Sequence, residues 1–377
     1  MPQKHRTIVI KIGTSSLTKA DGSFSEEKVR ELVRQTAALK DRGDRVVLVS
    51  SGAIAAGFRL LGHTQRPTAV AAKQAAAAVG QGRLIEEYTA AFAAHGYVAA
   101  QLLLTRGDFT DKRRYDNVFR ALTELLDFGA VPVINENDTT SIEELRFGDN
   151  DTLSAQVAAM IHADLLLLLT DVDGLYTADP RKDPAAEHID LVEAVTERIE
   201  ALGGGAASAL SSGGMKSKLT AAALATAAGV PVYISSSKEE NALLRGVDRE
   251  SRGTLFAASQ GHLKTRLQWV AFYTEGKGRL YIDSGAAAAL TGEGRSLLPS
   301  GVVAIEGDFA KGDVVDVYSS EGKFLGRGLS GYDKAALAAL KGRHGAGRQA
   351  VALHRNDWVD AGKIHLIRDE EGEEGHE

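Results

Sequence analysis

The sequence predicts an α/β protein: an open, mostly parallel sheet sandwiched by helices, followed by a small, mostly-β module. Three observations carry this. From residue 8 to about 257, apolar strand-like runs alternate with helical patterns. Those runs show little polar alternation, as parallel strands covered on both faces do. After Thr254 the texture changes to short strand-like pieces separated by glycine turns.

Taken in order, "IVIKI", "VVLVS", "YVAAQLLL", "AVPVI", "DLLLLL" and "VPVYIS" read as buried strands. In "SEEKVRELVRQTAALKDRG", Val29, Leu32, Val33, Thr36 and Leu39 share one helical face, with Ser25 able to cap the start and Gly43 the end. The alanine-rich stretch 68–95 reads as one long helix or two packed ones, its small side chains allowing close approach. "GHLKTRLQWV" reads as a linker into the second module, in which one helix, "DKAALAALKG", interrupts the strands. The expected division is 1–260 and 268–367, with an acidic, disordered tail at 369–377.

Composition excludes several classes. There are no cysteines among the 377 residues, so disulfides, thiol catalysis and Cys-ligated metals are out. The net charge of −6 equals the six acids of the last nine residues, so the body of the chain is neutral and argues for no polyanion. No run of about 20 apolar residues exists to span a bilayer and no signal peptide is evident, so a cytoplasmic location without membrane contact is expected.

Six stretches carry chemistry. In "IVIKIGTSS", Lys11 ends an apolar strand and Gly13 follows; an ammonium beside a glycine turn suits phosphate. In "VVLVSSGAIAAG", Ser51 and Gly52 sit between a strand and a small-residue helix, either as a cap or as a point of close ligand approach. "VPVINENDTT" places Asn135, Glu136, Asn137 and Asp138 directly after a strand. "GDND" opens a helix with Asp149, Asn150 and Asp151, more acids than one cap needs. "LLLLLTDVDGLYTADP" ends a central strand at Thr170 and Asp171. "SSGGMKSKLT" puts Lys216 and Lys218 in the first turn of a helix, where cations oppose the macrodipole unless an anion binds. No Walker motif occurs, no G-x-G-x-x-G follows a strand, and no metal-type histidine cluster appears.

Together and in this order, these stretches resemble the amino acid kinase family, in its glutamate-phosphorylating branch, with a PUA module behind. The resemblance spans nearly the whole chain. It implies ATP- and Mg²⁺-dependent phosphorylation of the side-chain carboxylate of L-glutamate to glutamyl 5-phosphate. That is the first step of proline biosynthesis, with proline as feedback inhibitor and a homo-oligomer, dimer or tetramer, as the working form. By motif match, Ser51, Gly52, Asn135, Asp138, Asp149 and Asn150 would serve the amino acid. Lys11, Gly13, Thr170, Asp171 and the loop Ser212, Gly213, Gly214, Met215, Lys216, Ser217 and Lys218 would serve ATP. Lys11 and Lys218 would flank the transferring phosphoryl group, with Asp171 holding both. No side chain is singled out as a metal ligand. The chain departs from the family pattern at Lys216, where the family has a small hydroxyl residue.

The residues support a substrate with a free amino group. Between positions 135 and 151 stand six acids and one basic residue, Arg146, which suits an α-ammonium better than an N-acetyl group and argues against uridylate. A PUA module also raises RNA binding, for which Lys341, Arg343, His344 and Arg348 are the one basic cluster. RNA is not the expected partner, because residues 268–368 carry 13 Lys and Arg against 11 acids.

Overall fold

The computed structural model describes residues 5–140, 150–203, 214–258, 265–272, 274, 276–342 and 351–364. The chain divides into two compact units, Met1–His262 and Leu263–Glu377.

In chain order the first unit contains β1 (Thr7–Ile12), α1 (Glu26–Asp41), β2 (Arg45–Ser50), α2 (Ala53–Gly57), α3 (Val70–Ala94), β3 (Ala99–Leu104), α4 (Arg106–Thr110) and α5 (Lys112–Asp127). Then follow β4 (Val131–Glu136), α6 (Asn150–Met160), β5 (Leu165–Thr170), β6 (Leu175–Tyr176), β7 (His188–Ile189) and β8 (Leu191–Val192). The unit ends with α7 (Glu197–Ala201), α8 (Met215–Ala227), β9 (Val232–Ser236), α9 (Ala242–Asp248) and β10 (Gly253–Phe256). Eight strands form one sheet in the order β3-β4-β2-β1-β5-β9-β10-β8. The first six of that order run parallel, whereas β10 lies antiparallel to β9.

All six expected strands are present, five of them almost wholly buried. β3 is the exception. Among the described residues it is an edge strand, flanked by β4 alone, with Gln101 and Leu103 exposed. Helix α1 forms as its pattern requires. Ser25 Oγ accepts from Lys28 N, the expected face is buried, and Gly43 takes a positive φ of 90° after the helix. The alanine-rich stretch is a single helix, α3. Its closeness to α2 is extreme: a Cβ on Gly80 would stand 1.8 Å from the Ala53 carbonyl, and one on Gly57 2.0 Å from that of Ala76. Any side chain at either position would force the helices apart. Ser50 Oγ, at the end of β2, meets the Tyr88 hydroxyl of α3 at 2.9 Å and ties the same helix to the sheet.

The sheet order positions the site. From β1 the chain builds outward on one side to β2, β4 and β3, then returns through α6 to β5 on the other side of β1. The carboxyl ends of β1 and β5 therefore flank the point where connections diverge, where ligands of open α/β sheets bind. Helix α6 packs on β1, β2, β4 and β5, and α8 packs beside α6.

In the second unit a helix, α10 (Thr265–Phe272), precedes β11 (Gly278–Ile282), α11 (Ser284–Thr291), β12 (Val302–Gly307), β13 (Val314–Ser319), β14 (Phe324–Ser330), α12 (Lys334–Leu340) and β15 (Leu353–Asp360). The strands form one sheet, β12-β11-β13-β14-β15. Two helices here differ from expectation. Part of the presumed linker is α10, which packs on β14 and β15 with Gln268, Trp269 and Val270 buried. The "SGAAAALT" stretch forms α11, its start capped by the Asp283 carboxylate on Ala286 N. Tertiary burial makes a helix of the first, and alanine propensity with a cap makes one of the second. A buried Arg327–Asp316 pair at 3.0 Å, with Arg327 also donating to the Thr274 carbonyl, anchors the segment leaving α10.

Candidate active site

The expected stretches meet at the carboxyl ends of the parallel strands. Lys11 is the penultimate residue of β1, Ser51 follows β2, Asn135 lies in β4, Thr170 ends β5, and α6 and α8 bring Asn150, Asp151 and Lys218. Two networks arise there.

The first is charged. Asp151 Oδ1 stands 2.6 Å from Lys11 Nζ, and Asp151 Oδ2 stands 3.1 Å from Lys218 Nζ. All three are buried: Asp151 is 0% exposed, Lys218 4% and Lys11 6%. Ser217 Oγ also lies 3.1 Å from Asp151 Oδ2. Burial pushes the Asp151 carboxyl up, but the charges and hydrogen bonds of Lys11 and Lys218 outweigh it and hold the group below the ordinary carboxylate range. Two ammonium groups against one carboxylate leave the cluster net positive, so it favours an anion.

This geometry corrects the assignment of Asp171. That residue is exposed; its carboxylate accepts from Thr170 Oγ1 at 3.1 Å and its carbonyl accepts from Lys238 Nζ at 2.9 Å. Asp151 holds the lysines instead. The acid that a buried Lys11 requires sits on the helix packed over β1, not on the loop after β5. The sequence signal was present in the surplus acids of "GDND", but nothing along the chain says that α6 crosses β1. Lys216 and Lys218 also separate. Two residues apart on α8, they point to different faces; Lys216 is exposed and Lys218 buried.

The second network is neutral. Asn150 Nδ2 donates to Ser51 Oγ and to Asn135 Oδ1, both at 2.9 Å. Asn135 Nδ2 donates to Gln81 Oε1 at 2.9 Å, and Glu136 N donates to Asn135 Oδ1 at 2.9 Å. Gln81, on α3, is a residue the sequence reading missed; it stands between Gly80 and Gly82 in mid-helix, with no strand end to mark it. Beside this network is a cavity of about 280 Å³ bordered by Ala53, Gln81, Gln101, Glu136, Asn137 and Asp138.

The glycines divide by cause. Gly52 has φ of 104°, so its backbone requires glycine. Gly13 does not: its φ is −72°, and a Cβ there would meet nothing closer than the Leu169 carbonyl at 3.6 Å, with Lys11 Nζ at 3.9 Å. Its missing side chain leaves the space above the Lys11 ammonium open. Gly214 precedes α8 in extended conformation and Met215 begins the helix. Asp149, Ser212 and Gly213 lie outside the described residues, as do Arg343, His344 and Arg348.

Residues 6–236 match the model of the amino acid kinase family. The chain belongs to the amino acid kinase family. Residues 278–349 match the PUA domain, so the amino acid kinase unit is followed by a PUA unit. The chain is similar to glutamate 5-kinase of Streptococcus sanguinis (strain SK36), 52% identical over 358 residues that cover 94% of this chain and 96% of that protein. It is equally similar to glutamate 5-kinase of Neisseria meningitidis serogroup A, 52% identical over 358 residues with the same coverage. The carbamate kinase of Giardia lamblia bound to AMP-PNP, 18% identical, superposes with a TM-score of 0.50 over 68% of this chain and 99% of that one, a likeness of fold. The two networks thus lie in a kinase of this family.

Proposed function

We propose that the protein transfers the γ-phosphoryl group of ATP to the side-chain carboxylate of L-glutamate, giving glutamyl 5-phosphate and ADP. The observation that carries this is the buried Lys11–Asp151–Lys218 cluster beside the neutral Ser51–Asn150–Asn135 set. One suits a transferring phosphoryl group and the other an amino acid. The names of the two glutamate 5-kinases support the choice of substrate.

In this mechanism a carboxylate oxygen of glutamate attacks the γ-phosphorus in line as the bond to the β-phosphate oxygen breaks. Charge spreads over the phosphoryl oxygens. Lys11 and Lys218 are the catalytic residues, meeting that charge from two sides. Asp151 is a positioning residue that fixes both ammonium groups before the substrates arrive, so little reorganisation is needed during reaction. No general base is required, because the attacking carboxylate is already ionised at pH 7. Gly13, Thr170, Asp171, Gly214, Met215, Lys216 and Ser217 are proposed for the nucleotide, and Ser51, Gly52, Asn135, Asp138 and Asn150 for the amino acid. Among the described residues no cluster of three metal-ligating side chains occurs. Mg²⁺ would come with the nucleotide phosphates and would offset part of their charge.

On this reading the product enters proline biosynthesis, in the cytoplasm, and the enzyme works as a homo-oligomer. Proline, which shares the amino and carboxylate groups of glutamate, acts as feedback inhibitor. The test is an ADP-release assay with free and N-acetylated amino acids, trapping the acyl phosphate as a hydroxamate. L-Glutamate should be the preferred acceptor, and added proline should raise its KM. Turnover of N-acetylglutamate at an equal or higher rate would overturn the reading.

A further inference from the structure

Four side chains from four parts of the first unit make one continuous run of hydrogen bonds: Gln81 on α3, Asn135 in β4, Asn150 on α6, and Ser51 after β2. A side-chain amide can in principle stand either way round. Here one backbone group settles the direction of all of them. The Glu136 N–H can only donate, and it donates to Asn135 Oδ1 at 2.9 Å. Asn135 must then turn its Nδ2 towards Gln81, whose Oε1 accepts at 2.9 Å. The same Asn135 Oδ1 accepts from Asn150 Nδ2, and the second hydrogen of that Nδ2 goes to Ser51 Oγ.

The consequences fall at the far end of the run. Both hydrogens of the Asn150 amide are used inside the protein, so what Asn150 can offer a ligand is the acceptor Oδ1. Ser51 Oγ already accepts from Asn150, so its own hydrogen is left to donate. An acceptor matches an ammonium group and a hydroxyl donor matches a carboxylate. Resting on the amino-acid site proposed above, we propose that Gln81 and Asn135 are positioning residues: the Glu136 N–H sets the direction of the run, Gln81 holds the Asn135 amide in it, and Asn150 and Ser51 thereby read the zwitterionic head of a free α-amino acid. Asn135 itself is 4% exposed and acts through its neighbours. Both ends of the run are held in place by backbone: Gly80, next to Gln81, is pressed against the carbonyl of Ala53, two residues from Ser51.

The test uses the full-length chain, with L-glutamate and ATP varied separately. Gln81→Met keeps the length of the side chain and removes the acceptor; Gln81→Glu keeps an acceptor oxygen towards Asn135. Losing one such hydrogen bond should raise KM for glutamate by on the order of tenfold in Gln81→Met. KM for ATP should stay within about twofold of wild type, and Gln81→Glu should restore KM for glutamate to within about threefold. A Gln81→Met KM for glutamate within about twofold of wild type would overturn the proposal, as would equal rises in both KM values or a Gln81→Glu variant no better than Gln81→Met. A second measurement needs no variant. Glutarate keeps both carboxylates of glutamate and lacks the amine, so it leaves the Asn150 acceptor unmatched. The wild type should use it with kcat/KM lower by on the order of 100-fold or more; turnover like that of glutamate would overturn the proposal. If the wild type phosphorylates a different free amino acid, the choice of glutamate falls, and the same KM comparison run with that amino acid still decides the role of Gln81.

Discussion

Asn150 and Asp151 are consecutive residues of one helix, yet they belong to networks of opposite character. Asp151 joins two lysines in a buried, charged cluster, whereas Asn150 joins an amide and a hydroxyl in a neutral one. In the proposed reaction the charged cluster lies where charge develops in the transition state, and the neutral one lies where the substrate must be recognised without gaining charge. The difference predicts that damage to the first lowers kcat and damage to the second raises KM. It also predicts that only the first is strongly coupled to stability. A buried charge left without its partner costs far more than a lost neutral hydrogen bond.

The largest effect is expected at Asp151. Asp151→Ala leaves two buried ammonium groups facing each other and should destabilise the first unit by about 3–5 kcal/mol, measured by denaturant melting. It should also abolish most activity. The pH dependence sharpens this. The folded-state carboxyl of Asp151 is held below its ordinary value of 3.8. Its contribution to stability is therefore complete above that value and is lost as pH falls through the lowered one. The stability gap between wild type and Asp151→Asn should be constant at neutral pH and close only in acid below 3.8. A gap that closes between pH 5 and 7 would remove Asp151 from the role given to it.

Next come the lysines themselves. Lys11→Ala or Lys218→Ala should each lower kcat by on the order of 100-fold or more, with smaller changes in KM for glutamate. A rise in KM for glutamate at unchanged kcat would break the division between the networks.

Lys216 is the internal control for Lys218. It is exposed at the start of the same helix, so Lys216→Thr should change kcat by less than about tenfold, in keeping with the weak influence of exposed charges. Steady-state kinetics comparing it with Lys218→Ala decides whether burial against Asp151, rather than charge near the helix start, is what matters. The smallest effect is expected from removing the second unit. The residues of both networks lie before position 220, so residues 1–260 should fold and retain glutamate-dependent ATP turnover. Soluble yield, melting curve and kcat of the truncated chain test this; a folded but inactive product would assign the PUA unit a part in catalysis.

Much of this was legible in the chain. Branched apolar runs such as "LLLLLT" marked the parallel strands because a strand covered on both faces must be apolar throughout. Lys11, Ser51, Asn135 and Thr170 were legible because each stands where such a run meets polar or glycine residues, which locates the carboxyl edge of a sheet. Other features were not. The edge position of β3 depends on which strand lies beside it, and "YVAAQLLL" reads the same at an edge or at the centre. Helix α10 is only eight residues long, too short to be marked by helical periodicity, and becomes a helix through burial against β14 and β15.

The sequence by itself determined the fold class, the set of strand ends that carry polar residues, and the presence of two lysines with acids enough to hold them. Local rules suffice for these, because strand burial, capping and turn chemistry act over a few residues. Only the tertiary structure decided which acid meets the lysines and which way the amides face. Asp151 reaches Lys11 across 140 positions of sequence because α6 crosses β1, and Gln81 reaches Asn135 across 54 because Gly57 and Gly80 let α2 and α3 close to backbone contact. Such pairings depend on the order of strands in the sheet and on how near two helices can pack, neither of which is written at any single position of the chain.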